Sequence, residues 1–246
     1  MKTSREINLM PPPRRWGRIV HTVLALGCMS ILFLNIASAQ SSNPSESWTA
    51  PVDLAADRPG QNLFPIILAD AAGGVHVFWD EVTEVVGGTV TTVDYAYWDG
   101  SNWSEPLDVF IGSRGPMAMG AQAVIDDSGI MHTVWIDDRG LMFAQRHVAS
   151  PISAKSWINR QLLPARAGGS IGPLVIEQDQ AGVLHVAYLH QRIDQPGIYY
   201  LQSADDGVTW SDPIVLSEAA EFVEPDGRQR YYLDMLAASD ALHVVW

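Results

Sequence analysis

The 246 residues are 47% apolar and 17% charged, a composition that excludes a disordered chain and provides material for a sizeable core. The formal net charge is −13, and an acidic surface repels phosphate backbones, which disfavours nucleic acid as a partner. A single cysteine, Cys28, rules out an intramolecular disulfide framework.

The charge is unevenly placed. Residues 1–39 hold Lys2, Arg5, Arg14, Arg15 and Arg18 against Glu6, a net +4 that leaves −17 for the rest. An apolar run from Ile19 to Ala39 follows, and Ala37-Ser38-Ala39 has the small residues that a signal peptidase cleaves after. The segment reads as a signal peptide, or a signal anchor if it stays uncleaved, and predicts a secreted, periplasmic or cell-surface protein. Residues 40–47, rich in Ser, form a linker.

Residues 48–246 are repetitive. A histidine word recurs at Gly74-Val-His-Val-Phe-Trp79, Gly129-Ile-Met-His-Thr-Val-Trp135, Gly182-Val-Leu-His-Val-Ala-Tyr188 and Ala241-Leu-His-Val-Val-Trp246, with its histidines 56, 53 and 58 residues apart. A tryptophan word keeps the same period, at Trp48, Trp103, Trp157 and Trp210. Apolar runs precede the first three histidine words (Phe64–Leu68, Ala121–Ile125, Pro173–Ile176), and tyrosine- or phenylalanine-bearing runs follow them (Val93–Tyr97, Leu141–Gln145, Ile198–Gln202). Each repeat therefore has four short β segments: A (apolar), B (histidine), C (aromatic) and D (tryptophan).

Four-strand units at this period predict an all-β protein, a β-propeller of four-stranded blades. The repeats run over about 55–110, 111–163 and 164–216, with a partial one at 217–246. A lone D segment at Trp48–Leu54 precedes them, so about three and a half blades are present. The last strand is expected to leave an unpaired edge, as in a fragment of a longer ring.

Ser203-Ala-Asp-Asp-Gly-Val-Thr-Trp210 resembles the Asp-box, S-x-D-x-G-x-T-W, of the sialidase-like (BNR-repeat) superfamily. The resemblance extends over 48–246 and implies a propeller with six blades when complete. It implies a structural role for Ser203, Asp205, Gly207, Thr209 and Trp210, which close a C–D hairpin. In the first repeat Trp98 stands where the box aspartate belongs. The repeated histidines are read as core residues, and no metal site or cofactor is expected.

An A-B-C-D meander places D→A and B→C loops on one face, where ligand sites gather. Seven of the ten basic residues after the linker fall in those loops. Arg58, Arg114, Arg139, Arg166, Arg192 and Arg228 are the candidate ligand-binding residues there; the resemblance implies arginines that hold a carboxylate, which suits guanidinium's fork geometry. Asp80 and Asp138 are the only acid candidates, and neither is assigned a catalytic role. The family's first carboxylate-binding arginine, which opens strand A, is replaced here by Leu63. Tyr231-Tyr232 is read as core of the fourth strand A.

The lead expectation is an exported sialidase-like propeller that binds a glycan or an extracellular protein, with no complete catalytic set in this segment. The alternative is a truncated exo-sialidase or related glycoside hydrolase whose remaining catalytic residues lie in later blades.

Overall fold

A computed structural model describes residues 4–8 (backbone only), 49–112, 115, 117–166, 170–191, 195–218, 232–239 and 241–246. By its contacts the chain divides into one unit of Met1–Leu9 with Leu54–Trp246 and another of Met10–Asp53, and only 49–53 of the second are described. No helix among the described residues is long and apolar enough to cross a membrane.

The first unit is all-β, and its sheets are blades of a β-propeller. Blade I is β2 (Gln61–Ala69), β3 (Val75–Val85), β4 (Gly88–Trp98) and β5 (Leu107–Phe110). Blade II is β6 (Ala118–Ile125), β7 (Ile130–Asp137), β8 (Gly140–His147) and β9 (Ile158–Leu162). Blade III is β10 (Ser170–Gln178), β11 (Leu184–Gln191), β12 (Gly197–Ser203) and β13 (Ile214–Ser217). The partial blade IV has β14 (Asp234–Ala237) and β15 (Ala241–Val245), and β1 (Ser4–Asn8) pairs antiparallel with β15. Within every full blade the strands follow chain order as an antiparallel meander, the expected A-B-C-D path.

Strand alternation explains how the blades stack. On each B strand the histidine and the second residue after it face the next blade, while the intervening residues face the previous one. Phe78 of blade I packs with Met131 and Trp135 of blade II. Val134 and Ile136 of blade II meet Leu184, Val186 and Tyr188 of blade III. Ala187 and Leu189 of blade III meet Leu242 and Val244 of blade IV. Trp135 lies flat on Phe110, with centroids 3.8 Å apart and planes 5° apart. Both faces of the inner blades are dry, so the apolar runs do not alternate with polar residues as a half-exposed strand would.

Four differences from the sequence reading have physical causes. The D word at Trp48–Leu54 forms no strand over 49–60, because no C strand stands beside it among the described residues. The last B strand is not an open edge: its free peptide groups pair with β1, as edges do when a strand is within reach. Apart from β1, the expected export segment 1–39 lies outside the described residues. His243 is exposed where His76, His132 and His185 are fully buried, since its side faces away from blade III. Tyr232 is likewise no core residue: it is 72% exposed and precedes β14, while Tyr231 lies outside the described residues.

Candidate functional site

The buried histidines belong to a repeated fastening. Asp70, Asp126 and Asp179 each stand six residues before their histidine. One oxygen of each caps the A→B turn, accepting from Ala72 and Gly74, from Ser128 and Ile130, or from Ala181 and Val183 amides. The other oxygen takes the histidine Nε2, at 3.2, 3.0 and 3.2 Å. Gly73, Gly129 and Gly182, three residues after each aspartate, have φ of 88°, 80° and 84°, a conformation that favours glycine. Gly73, rather than Gly74, is therefore the first-blade counterpart of Gly129 and Gly182.

The histidine Nδ1 then reaches strand C: Tyr95 Oη in blade I and Tyr200 Oη in blade III, both at 2.7 Å, and Gln145 Nε2 in blade II at 3.3 Å. Burial pushes His76 and His185 below the ordinary imidazole value, so both are neutral at physiological pH. These groups tie turn to sheet, which matches the core reading. The aspartates escaped the sequence reading, although a fixed six-residue spacing marks all three.

The segment Ser203–Trp210 closes the β12–β13 connection with its own side chains. Asp205 Oδ1 accepts from the Thr209 amide at 2.8 Å and Oδ2 from the Thr209 hydroxyl at 2.6 Å. Ser203 Oγ accepts from the Gly207 amide at 2.9 Å and donates to Asp205 at 2.8 Å. The Trp210 indole donates to Gly207 O and lies edge-on to Phe143 of blade II, with centroids 5.2 Å apart. Gln145 and Gln161 of blade II donate to Asp206 O and Gly207 O. The box is thus a clasp between blades. In blade I, Asp99, next to Trp98, does comparable work, accepting from the Ser101 and Asn102 amides.

On the loop face the arginine candidates separate by their partners. Arg58 stands among three carboxylates: Nη1 lies 2.6 Å from Asp108 and 3.5 Å from Glu81, and Nε 3.4 Å from Asp94. The oxygens of that trio lie within 4.8 Å of one another, a spacing that would suit a cation, and the guanidinium supplies the positive charge. Burial pushes the Asp94 carboxyl up to about 7, with Arg58 pulling it back and Asp108 and Glu81 adding to the rise. Arg139 is paired with Asp137 at 2.9 Å. Arg114, Arg192 and Arg228 lie outside the described residues.

Arg166 differs. It meets no carboxylate within 4.0 Å among the described residues. Its Nη1 donates to Gln195 Oε1 at 2.6 Å and to Tyr199 Oη at 3.3 Å. The guanidinium stands 5.8 Å from the centroid of the Tyr199 ring, which is stacked on Tyr188, and His190 lies edge-on beside Tyr199. An exposed arginine in front of an aromatic wall has spare capacity to receive a ligand.

The acid candidates do not converge on it. Asp138 is exposed on the blade II B→C turn. Asp80 is 1% exposed and faces blade II, where both oxygens accept from the Gly120 amide at 2.9 Å. That amide belongs to a bulge in β6 between Met119 and Gln122, and a bulge leaves an N–H without a ladder partner. Asp80 supplies the missing acceptor.

Burial pushes the Asp80 carboxyl up to about 7, opposed by the Gly120 bond. A value raised above the unfolded one means that its contribution is present below about pH 4 and is lost as pH rises through 7. Asp80→Asn keeps the acceptor and removes the charge. The variant is expected to match the parent at pH 3.5 and to exceed it by about 2–4 kcal/mol at pH 8. Thermal melts at the two pH values check this; a gain independent of pH would contradict it.

No family model matches the chain, and no curated protein matches it. Solved structures do resemble it. A protein of unknown function from Dyadobacter fermentans is 15% identical with a TM-score of 0.48, over 68% of this chain and 60% of that one. The catalytic domain of a GH62 α-L-arabinofuranosidase from Coprinopsis cinerea is 11% identical with a TM-score of 0.46, over 65% of this chain and 52% of that one. An α-L-arabinofuranosidase from Podospora anserina, solved with cellotriose, is 13% identical with a TM-score of 0.46, over the same shares. The chain spans 52–60% of the length of these structures. At such scores the likenesses decide nothing about activity.

Proposed function

We propose that this protein is an exported, sialidase-like propeller that binds a glycan on its loop face through Arg166, without hydrolysing it. The sialidase-like assignment is supported by the Asp-box, whose Ser203, Asp205 and Thr209 make the turn bonds that motif implies. Export is supported by the basic and apolar composition of residues 1–39, and it would take β1 away from β15. The observation that carries the binding reading is Arg166 without a carboxylate partner among the described residues, held before Tyr199 by Gln195. Guanidinium offers paired donors to sugar hydroxyls or carboxylates, and binding sites commonly set such a group against an aromatic surface.

The reading without hydrolysis rests on the acids among the described residues. Glycoside hydrolysis needs an acid and a nucleophile or base a few ångströms apart across the bond that breaks. Asp80 is sealed against Gly120, and Glu81 and Asp94 are held by Arg58. The binding reading is tested on a glycan array with the parent protein and Arg166→Ala. The expected result is binding by the parent and at least a tenfold loss in the variant, with unchanged melting temperature. Equal binding by both would overturn it.

A further inference from the structure

The opposite face, made of A→B turns and C–D hairpins, carries a cavity of about 500 Å³ where blade II meets the Asp-box hairpin of blade III. Its volume lies within the range of small-molecule sites, about 300–1,000 Å³. Ile130, Pro151 and Ile158 supply apolar wall, Arg146 and His147 polar wall, and Asp206 comes from the box.

Arg146 is the unusual member. It is 1% exposed, yet no carboxylate of the described residues lies within 4.0 Å of it. Its Nη2 donates to Ser150 O at 2.7 Å and Nη1 to Tyr95 Oη at 3.3 Å, while Nε has no hydrogen-bond partner. Its charge rests on the faces of Tyr95 and Trp157, at 5.4 and 5.2 Å.

Among the described residues no neighbour serves as a counter-ion. Burial pushes the Tyr95 hydroxyl up to about 12, so it stays neutral. Asp126, also in the cavity wall, has its oxygens taken by Ser128, Ile130 and His132. A buried cation left without an anion is costly, and truncating one partner of a buried pair shows how much such a charge requires compensation. Here the unfilled requirement borders a cavity of ligand size.

We propose that this cavity binds a hexuronic acid unit, its carboxylate on Arg146 and its apolar ring face on Ile130, Pro151 and Ile158. The site is separate from Arg166 and does not rest on the loop-face reading. Hydroxyls at the outer edge of the sugar meet the Asp206 carboxylate and His147 at the rim. A neutral hexose has the same ring but leaves Arg146 uncompensated.

The test is calorimetric titration of the full chain with D-glucuronate and with D-glucose. Glucuronate is expected to bind at least tenfold more tightly than glucose. Arg146→Gln is expected to remove the preference, and Arg166→Ala to leave it intact. Should Arg146→Gln fail to fold, Ile158→Trp decides alone: Ile158 is 58% exposed, so tryptophan fills the cavity without disturbing the core. Loss of glucuronate binding in Ile158→Trp supports the site. Equal affinity for both sugars, no binding by the parent, or unchanged affinity in Ile158→Trp overturns it.

Discussion

Arg58→Ala is expected to destabilise the protein by about 3–5 kcal/mol, because it strips the cation from buried carboxylates. Asp94 and Glu81 have side chains only 0% and 5% exposed, and each relies on the guanidinium for its charge balance. Asp108, 40% exposed, contributes less, since water screens it. The loss depends on pH in a definite direction. Removing the cation raises the Asp94 carboxyl further above its ordinary range, so acid neutralises it and relieves the strain. Destabilisation is therefore smaller at pH 5 than at pH 8. Adding Asp94→Asn and Glu81→Gln to Arg58→Ala is expected to recover most of the stability, which a ligand-binding arginine would not predict. Urea melts of the three proteins at both pH values check this, and a loss below 1 kcal/mol for the single variant would contradict it.

Gly207→Ala has the second large expected effect. Gly207 has φ of 80°, where any Cβ is strained by about 1–2 kcal/mol. A Cβ there would also stand 2.3 Å from Phe143 Cζ and 2.4 Å from Cε1, and that ring is fully buried in blade II. Overpacking of this kind adds about 1–3 kcal/mol. The total, about 2–5 kcal/mol, is expected to fall when Phe143→Leu is combined with it, so the two changes couple through their contact. A double-mutant cycle measures the coupling. Additive losses would show that the box is not clasped to blade II.

These two residues mark what the sequence made legible. Gly207 was readable because the Asp-box is local: eight consecutive residues carry its bonds, and the turn follows from their order. The blades were readable for the same reason, since each meander joins neighbours in the chain. Arg58 was readable as a loop-face arginine but not as a half-buried clamp on buried carboxylates. Its acids come from three different strands, at positions 81, 94 and 108, and only the folded sheet brings them together.

Asp80 gives the same lesson. Its partner, the Gly120 amide, is freed by a bulge, and no pattern of residue types announces that one-residue irregularity. The histidine word was legible as a repeat, but its meaning for His243 depended on which neighbouring blade its side faces. Asp70, Asp126 and Asp179 were within reach of the sequence. Their spacing is regular, yet an aspartate before a glycine turn reads as ordinary turn chemistry until the histidine is seen bonded to it.

On the proposed reading, the loop face holds a glycan at Arg166 and leaves it whole. It is tested most directly by incubating the parent protein and Arg166→Ala with immobilised glycans, then weighing both the retained and the released sugar by mass spectrometry. The expected result is intact glycan retained by the parent, little retained by the variant, and no released monosaccharide from either. Released monosaccharide from the parent, absent with the variant, would contradict it.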